Sequence, residues 1–268
     1  MALDKVLIVG FGKMAQAMVD GWIAAGIPAG RFAIYHPRRS DAPAGIALHN
    51  HWPSEHFDAV LLAVKPQILG DVAPDLETLL GPDTVLISVL AGVDMAGLAR
   101  KFPRAGGIAR LMPNLAVALR KSPNALAATG LDDAQRQELT RLAAALGSAE
   151  WLEDESQFDL VTALAGSGPG FVFRFIDALA GGAAELGLDR AQADRLALAM
   201  VEGASALAAS SDYSPAELAS RVASKGGMTQ EGLDVLDDGA ALQNLLRQCL
   251  RAARDRGAQM AEMAGDKG

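Results

Sequence analysis

The sequence predicts an α/β domain over residues 1–152, a parallel sheet wound with helices on both faces, followed by an all-α domain over residues 153–268. Three observations predict it. Short apolar runs alternate with helical stretches in the first part. A Gly-x-Gly-x-x-Ala loop joins the first run to the first helix. After "EWLEDESQ" (150–157) strand signals stop and long Ala-rich helical stretches take over.

The runs "KVLIVG" (5–10), "RFAIY" (31–35), "DAVLLAV" (58–64), "TVLISVL" (84–90) and "GIARLM" (107–112) are continuously apolar rather than alternating, which suits strands covered on both faces. Helical segments at 13–25, 67–80 and 94–101 lie between them, so right-handed crossovers and a parallel sheet are expected. "NALAAT" (124–129) and a helix at 132–146 extend this half. The second half reads as helices 169–187, 190–209, 214–223, 229–238 and 240–263. Helix 169–187 carries Gly181, Gly182, Ala183 and Ala184, so neighbouring backbones can approach closely. An Ala-rich bundle gains little from each buried side chain. A homodimer through this half is therefore expected, with a self-sufficient monomeric bundle as the alternative.

Composition narrows the function. The net charge is −8, which argues against a nucleic-acid groove or an anionic membrane surface as partner. One cysteine, Cys249, permits no intrachain disulfide and fits a reducing cytoplasm. No apolar run reaches bilayer-spanning length, and "MALDKVLIVG" does not read as a secretory signal. A soluble cytoplasmic protein is expected. His36, His49, His51 and His56 have no cysteine among them and no His-x-x-x-His spacing, so no metal is expected. No Gly-x-Ser-x-Gly elbow suggests acyl transfer.

"VLIVGFGKMAQAM" (6–18) places the glycine loop after a strand and at the mouth of a helix. Gly10 permits the tight turn, Gly12 lets backbone approach a pyrophosphate, and Ala15 keeps helix close to strand; this is the dinucleotide fingerprint of a Rossmann domain. An NAD site usually ends its second strand with an acid. Here that strand ends "IYHPRRSD", with Tyr35 and His36 at the position and Arg38 and Arg39 following. A missing acid beside guanidinium groups favours a 2′-phosphate, hence NADP(H). Asp41 leaves NAD(H) as the alternative, and solvated loop charges are the plain reading of both arginines. "LLAVKP" (61–66) ends another strand, where Lys65 is either a cofactor contact or an exposed lysine. "GSGPG" (166–170) lacks a Walker lysine and reads as a helix start, with Ser167 and Gly168 capping and Pro169 in the first turn. "SKGGMTQEG" (224–232) puts two glycines before another helix start, a second place for an anion.

Taken in order, "GFGKMA", "AVKP", "MPNLA", "AGSGPG" and "ASKGGMT" resemble the motifs of the pyrroline-5-carboxylate reductases, and the resemblance spans essentially the whole chain. It implies a Rossmann domain followed by a helical dimerisation domain, in dimers or rings of dimers. It implies reduction of 1-pyrroline-5-carboxylate to L-proline with NADPH or NADH. By the same resemblance Gly10, Phe11, Gly12, Lys13 and Met14 form the pyrophosphate loop, with Asn50 on the adenosine side. Ala63, Val64, Lys65 and Pro66 form a further cofactor contact, and Ala91 and Gly92 within "LAGV" another. Glu155 resembles an acid near the substrate, and Ser224, Gly227, Met228 and Thr229 the substrate loop. On this reading the N–H groups of Gly227, Met228 and Thr229 take the substrate carboxylate, and the Thr229 hydroxyl orients the ring nitrogen. From position alone Thr229 reads first as an N-cap, an order the resemblance reverses, and Asp212 is a candidate polar wall.

The chain departs from the family pattern at Leu115-Ala116, Gly170, Ala223, Lys225 and Met228. Those changes spare fold and cofactor and bear on which cyclic imine is reduced. A reductase of a related cyclic imino acid is therefore one alternative, and a non-catalytic NADP-binding interaction protein another. A β-hydroxyacid dehydrogenase would need a lysine on helix 169–187, which has none.

Overall fold

A computed structural model describes residues 3–265. Eight strands form one sheet: β1 (Val6–Val9), β2 (Phe32–Tyr35), β3 (Ala47–His49), β4 (Ala59–Leu62), β5 (Val85–Ser88), β6 (Gly107–Met112), β7 (Ser122–Thr129) and β8 (Gly147–Trp151). Their spatial order is β3-β2-β1-β4-β5-β6-β7-β8, so strand order reverses between β1 and β4. A crevice for a dinucleotide lies above such a reversal, at the strands' C-terminal ends.

The continuous apolar runs are explained by burial on both sides. Val6, Ile8, Ile34, Leu61 and Ile87 face one layer, against Met18 and Trp22 of α1 (Lys13–Ala24). Leu7, Val9, Val60, Leu62 and Leu86 face the other, against Leu69, Ala73 and Leu76 of α2 (Leu69–Glu77) and Leu98 of α3 (Met95–Lys101). Leu139, Leu142 and Ala143 of α4 (Asp133–Ala144) join the first layer. α2 is shorter than the predicted 67–80 because a 3₁₀ turn at Pro66–Ile68 precedes it.

Three points correct the sequence-based picture. The sheet is mixed: β6 and β7 pair antiparallel, with Met112 opposite Ala125, because the link between them holds only a short 3₁₀ turn (Leu115–Leu119) and no crossover helix. β3 and β8 were not anticipated; they are the sheet's edges, and their half-exposed sequences "ALH" and "GSAEW" lack an apolar run. The "GSGPG" stretch does open a helix, at Gly168 with Pro169 in the first turn, but Ser167 is helical and ends the preceding turn instead of capping the new one. α5 (Phe158–Val161) continues into a π-helical turn at Thr162–Gly166, and the Ser167 N–H donates to the Thr162 carbonyl at 3.0 Å.

By compactness the chain divides into two units, one running to Ser167 and resuming at Ala252, the other covering Gly168–Arg251. The last strand ends at Trp151, but the first unit continues because Phe158 packs with Met112, Ala125 and Ala127. The second unit holds α6 (Gly168–Glu185), α7 (Arg190–Ala209), α8 (Pro215–Val222), α9 (Met228–Asp237) and the start of α10 (Ala241–Gly265). Its buried apolar cluster is Ala180, Ala193 and Ala197, three of the smallest side chains. Large apolar residues stand outside: Leu186 is 92% exposed, Val235 72% and Phe173 69%. An apolar groove of about 520 Å³ runs along α6 and α7, lined by Leu179, Leu186, Leu196 and Met200 among others.

Candidate active site

The glycine loop crosses between β1 and α1 at the strand-order reversal. Gly10 has φ +87°, and a Cβ there would lie 2.9 Å from Val64 Cγ1 and 3.0 Å from the Ala63 carbonyl oxygen. Glycine is thus required twice, by the backbone and by the approach of the β4 end. Gly12 caps α1 without any side-chain hydrogen bond, and no atom lies within 4 Å of where its Cβ would stand. The start of α1 thus has no side-chain cap and leaves room for a ligand at Gly12, which suits a pyrophosphate. Phe11 and Ala15 are buried under the loop, whereas Lys13 is exposed and Met14 half-buried. Beside the loop, Ala63 and Val64 are half-buried and Lys65 is exposed, its backbone extended before the 3₁₀ turn that Pro66 opens.

The loop beyond β2 holds the residues expected on the adenosine side. The Arg39 guanidinium sits 4.9 Å from the Phe11 ring centroid and donates from Nε to the Asp41 carbonyl at 2.7 Å. Its Nη2 also reaches the Asp41 carboxylate at 3.3 Å. Arg38 is exposed, with no side-chain partner among the described residues. Asn50 donates from Nδ2 to the carbonyls of His36 (2.9 Å) and Arg39 (2.7 Å), so it braces this loop. Tyr35 and Trp52 stack with centroids 3.7 Å apart, and the Trp52 indole N–H donates to Asp75 at 2.9 Å. Burial, then the Asp75 charge, pushes the Tyr35 hydroxyl pKa up, so it stays neutral.

The residues expected to meet the other half of the dinucleotide follow β5. Ala91 is half-buried and Gly92 buried, in a turn that leads to Asp94, the N-cap of α3, whose carboxylate accepts from the Gly97 N–H at 2.7 Å. A cavity of about 370 Å³ opens here, lined by Gly92, Val93, Asp94, Arg110, Glu155 and neighbours. The expected acid Glu155 is at this cavity, but its Oε1 is engaged: it accepts from Arg110 Nη1 at 2.8 Å and from the Met95 N–H at 2.7 Å. Arg110 escaped the sequence reading. It stands inside the apolar run "GIARLM", and a charged residue in a buried strand was the signal available.

The second anion loop belongs to the helical unit. Gly227 caps α9 with no side-chain bond, and Thr229 is the second residue of the helix rather than its cap. A methyl at Gly227 would collide with the Ser224 hydroxyl. The Gly227 N–H donates to the Ser224 carbonyl at 2.8 Å, so it is spent within the turn and the free donors begin at Met228. Met228 is 94% exposed and Thr229, Ser224 and Lys225 are exposed. Among the described residues no group of three or more His, Cys, Asp or Glu is placed to hold a metal.

The chain is 33% identical over 273 residues to the pyrroline-5-carboxylate reductase of Pseudomonas aeruginosa, covering 99% of this chain and all of the relative. The chain belongs to the pyrroline-5-carboxylate reductase family. The family model for pyrroline-5-carboxylate reductase dimerisation matches residues 155–260, and that for NADP oxidoreductase, coenzyme F420-dependent, matches residues 5–92. Pyrroline-5-carboxylate reductase 2 of Bacillus subtilis is 31% identical over 97% of this chain and 96% of its own. The solved pyrroline-5-carboxylate reductase of Coxiella burnetii superposes with a TM-score of 0.87 at 28% identity, covering 97% of this chain and 99% of that one. Family membership accounts for the two textures of the chain, a dinucleotide-binding sheet and a helical unit with its apolar residues outward. Among the described residues no helix is long and apolar enough to cross a membrane.

Proposed function

We propose that this chain reduces 1-pyrroline-5-carboxylate to L-proline with NADPH, as a homodimer built through its helical half, in the cytoplasm. The observation that carries this reading is two helix starts without a side-chain cap, at Gly12 and Gly227, in a chain whose full-length relatives bear the name of that reductase. Residues 1–152 are assigned to the cofactor and 153–268 to substrate and assembly.

The cofactor side fits the residues present. The α1 N-terminus and Gly10–Met14 suit the pyrophosphate, and Ala63–Pro66 with Ala91 and Gly92 the flanking ribose and nicotinamide. Arg38, uncommitted, is assigned to the 2′-phosphate; Arg39 and Asn50 shape the loop that carries it. This supports NADPH over NADH. When bound, the nicotinamide supplies the hydride that a C=N carbon accepts.

The substrate side rests on α9. The N–H groups of Met228, Thr229 and Gln230 are the free donors of its first turn and suit a carboxylate. The Thr229 hydroxyl accepts a hydrogen bond from the protonated ring nitrogen and orients it. A basic imine arrives already protonated, so no strong acid is required of the protein. Thr229→Ala should lower kcat about tenfold, one hydrogen bond's worth, with NADPH affinity unchanged. Unaltered turnover would remove Thr229 from this role.

Homodimer formation is supported by the alanine-only cluster of the helical unit and the large apolar residues around it. A second reading, a related cyclic imino acid as substrate, is favoured by Met228 and Lys225. They place a long apolar and a cationic side chain beside the proposed carboxylate site.

A further inference from the structure

Arg110 has no part in the function above, yet it is among the most unusual side chains of the sheet. It stands on β6 with 4% of its side chain exposed. Its guanidinium lies over the Phe158 ring, 3.7 Å from the centroid, and Nη1 donates to Glu155 Oε1 at 2.8 Å. Its Nε is buried with no hydrogen-bond partner among the described residues. As filler this is a poor choice: an apolar side chain would occupy the same volume without an orphaned donor or a desolvated charge. Stability alone therefore gives no account of arginine at this place.

The partner supplies one. The oxygen that Arg110 holds also accepts from the backbone N–H of Met95, the first residue of α3. Immediately before it, Gly92, Val93 and Asp94 line the cavity over β5, together with Arg110 and Glu155 themselves. Glu155 lies on a short 3₁₀ turn (Glu155–Gln157), so its own element gives it little anchorage. The buried guanidinium fixes the carboxylate, and the carboxylate fixes the start of α3 and the turn before it. Among the residues lining this cavity Arg110 is the cation, facing Asp94, Glu155 and Asp159, so it also offsets their charge.

We infer that Arg110 is a positioning residue for the nicotinamide end of the cofactor. Acting through Glu155 and Met95, it sets the Gly92 turn against which that half of the dinucleotide rests. The adenosine half, braced separately by Asn50 and Arg39, is independent of it. The inference rests on the proposed dinucleotide site and needs no particular imine.

The test compares NADPH with adenosine 2′,5′-bisphosphate, which keeps the adenosine half alone, each titrated calorimetrically into the full chain. Arg110→Met should bind adenosine 2′,5′-bisphosphate as the parent does and NADPH about tenfold more weakly, the loss of one ordered contact. Arg110→Lys should recover part of the NADPH affinity, since an ammonium still pairs with Glu155. If Arg110→Met fails to fold, Arg110→Lys is read on the same two ligands, with NADPH alone weakened. Equal weakening of both ligands, or unchanged NADPH binding, overturns the inference. Failure of the parent to reduce pyrroline-5-carboxylate would count against the proposed function and leave this readout intact.

Discussion

Gly10 and Gly12 are two residues apart, but the structure predicts opposite consequences for them. Gly12 has φ −80° and ψ −174°, extended backbone open to any residue, and nothing lies within 4 Å of a Cβ built there. Gly12→Ala therefore strains nothing. As an N-cap, alanine is poorer than glycine by less than about 1 kcal/mol, which lowers the melting temperature by at most about 3 °C. The added methyl stands where a pyrophosphate must meet the α1 N–H groups. Losing one charge-assisted hydrogen bond there, about 1.5–3 kcal/mol, weakens NADPH about 10- to 100-fold. Gly10→Ala behaves otherwise. Its φ of +87° costs about 1–2 kcal/mol for an L side chain. The approaches to Val64 and Ala63 add about 1–3 kcal/mol of overpacking. Thermal unfolding without cofactor, beside an NADPH fluorescence titration, separates the two. Gly12→Ala should fold like the parent and bind poorly; Gly10→Ala should melt markedly lower. Parent-like NADPH affinity in Gly12→Ala would refute the placement of the pyrophosphate.

Arg38→Ala should raise the KM for NADPH about tenfold or more and leave NADH unaffected, because it loses a charge-assisted contact to the 2′-phosphate; Arg39→Ala should weaken both cofactors by loosening the loop that Asn50 braces. Equal effects of Arg38→Ala on the two cofactors would contradict the assignment. Leu186→Glu with Leu196→Glu places two charges in the α6–α7 groove and should give monomers in sedimentation velocity; an intact dimer would place the interface elsewhere. The Ser214 hydroxyl, then its N–H, hold the Glu217 carboxyl below its usual range. That capping box contributes to α8 above the ordinary glutamate pKa and is lost as pH falls through the lowered value. Glu217→Gln keeps an acceptor and should flatten this part of the acid-side melting curve, measured between pH 7 and pH 3.

The sequence was most legible where one force dominates. β1, β2, β4 and β5 are buried on both faces, and their unbroken apolar runs announced them. β3 and β8 are edge strands with a half-exposed pattern that resembles a loop. The antiparallel join of β6 and β7 depended on how the segment between them closes, which periodicity does not carry. Among the candidate residues, the two glycine turns were visible because backbone chemistry demands particular residues there. The Arg110–Glu155–Met95 contacts were not, since they join residues 45 and 60 positions apart in sequence. The spent N–H of Gly227 is likewise a matter of turn geometry that composition cannot reveal.

The central claim is the reaction itself. NADPH oxidation should be followed with 1-pyrroline-5-carboxylate beside six-membered and sulfur-containing cyclic imines, with L-proline quantified by chiral chromatography. The account predicts fastest turnover on the five-membered ring and one L-proline formed per NADPH consumed. Turnover on a different ring alone, or on none, would contradict it.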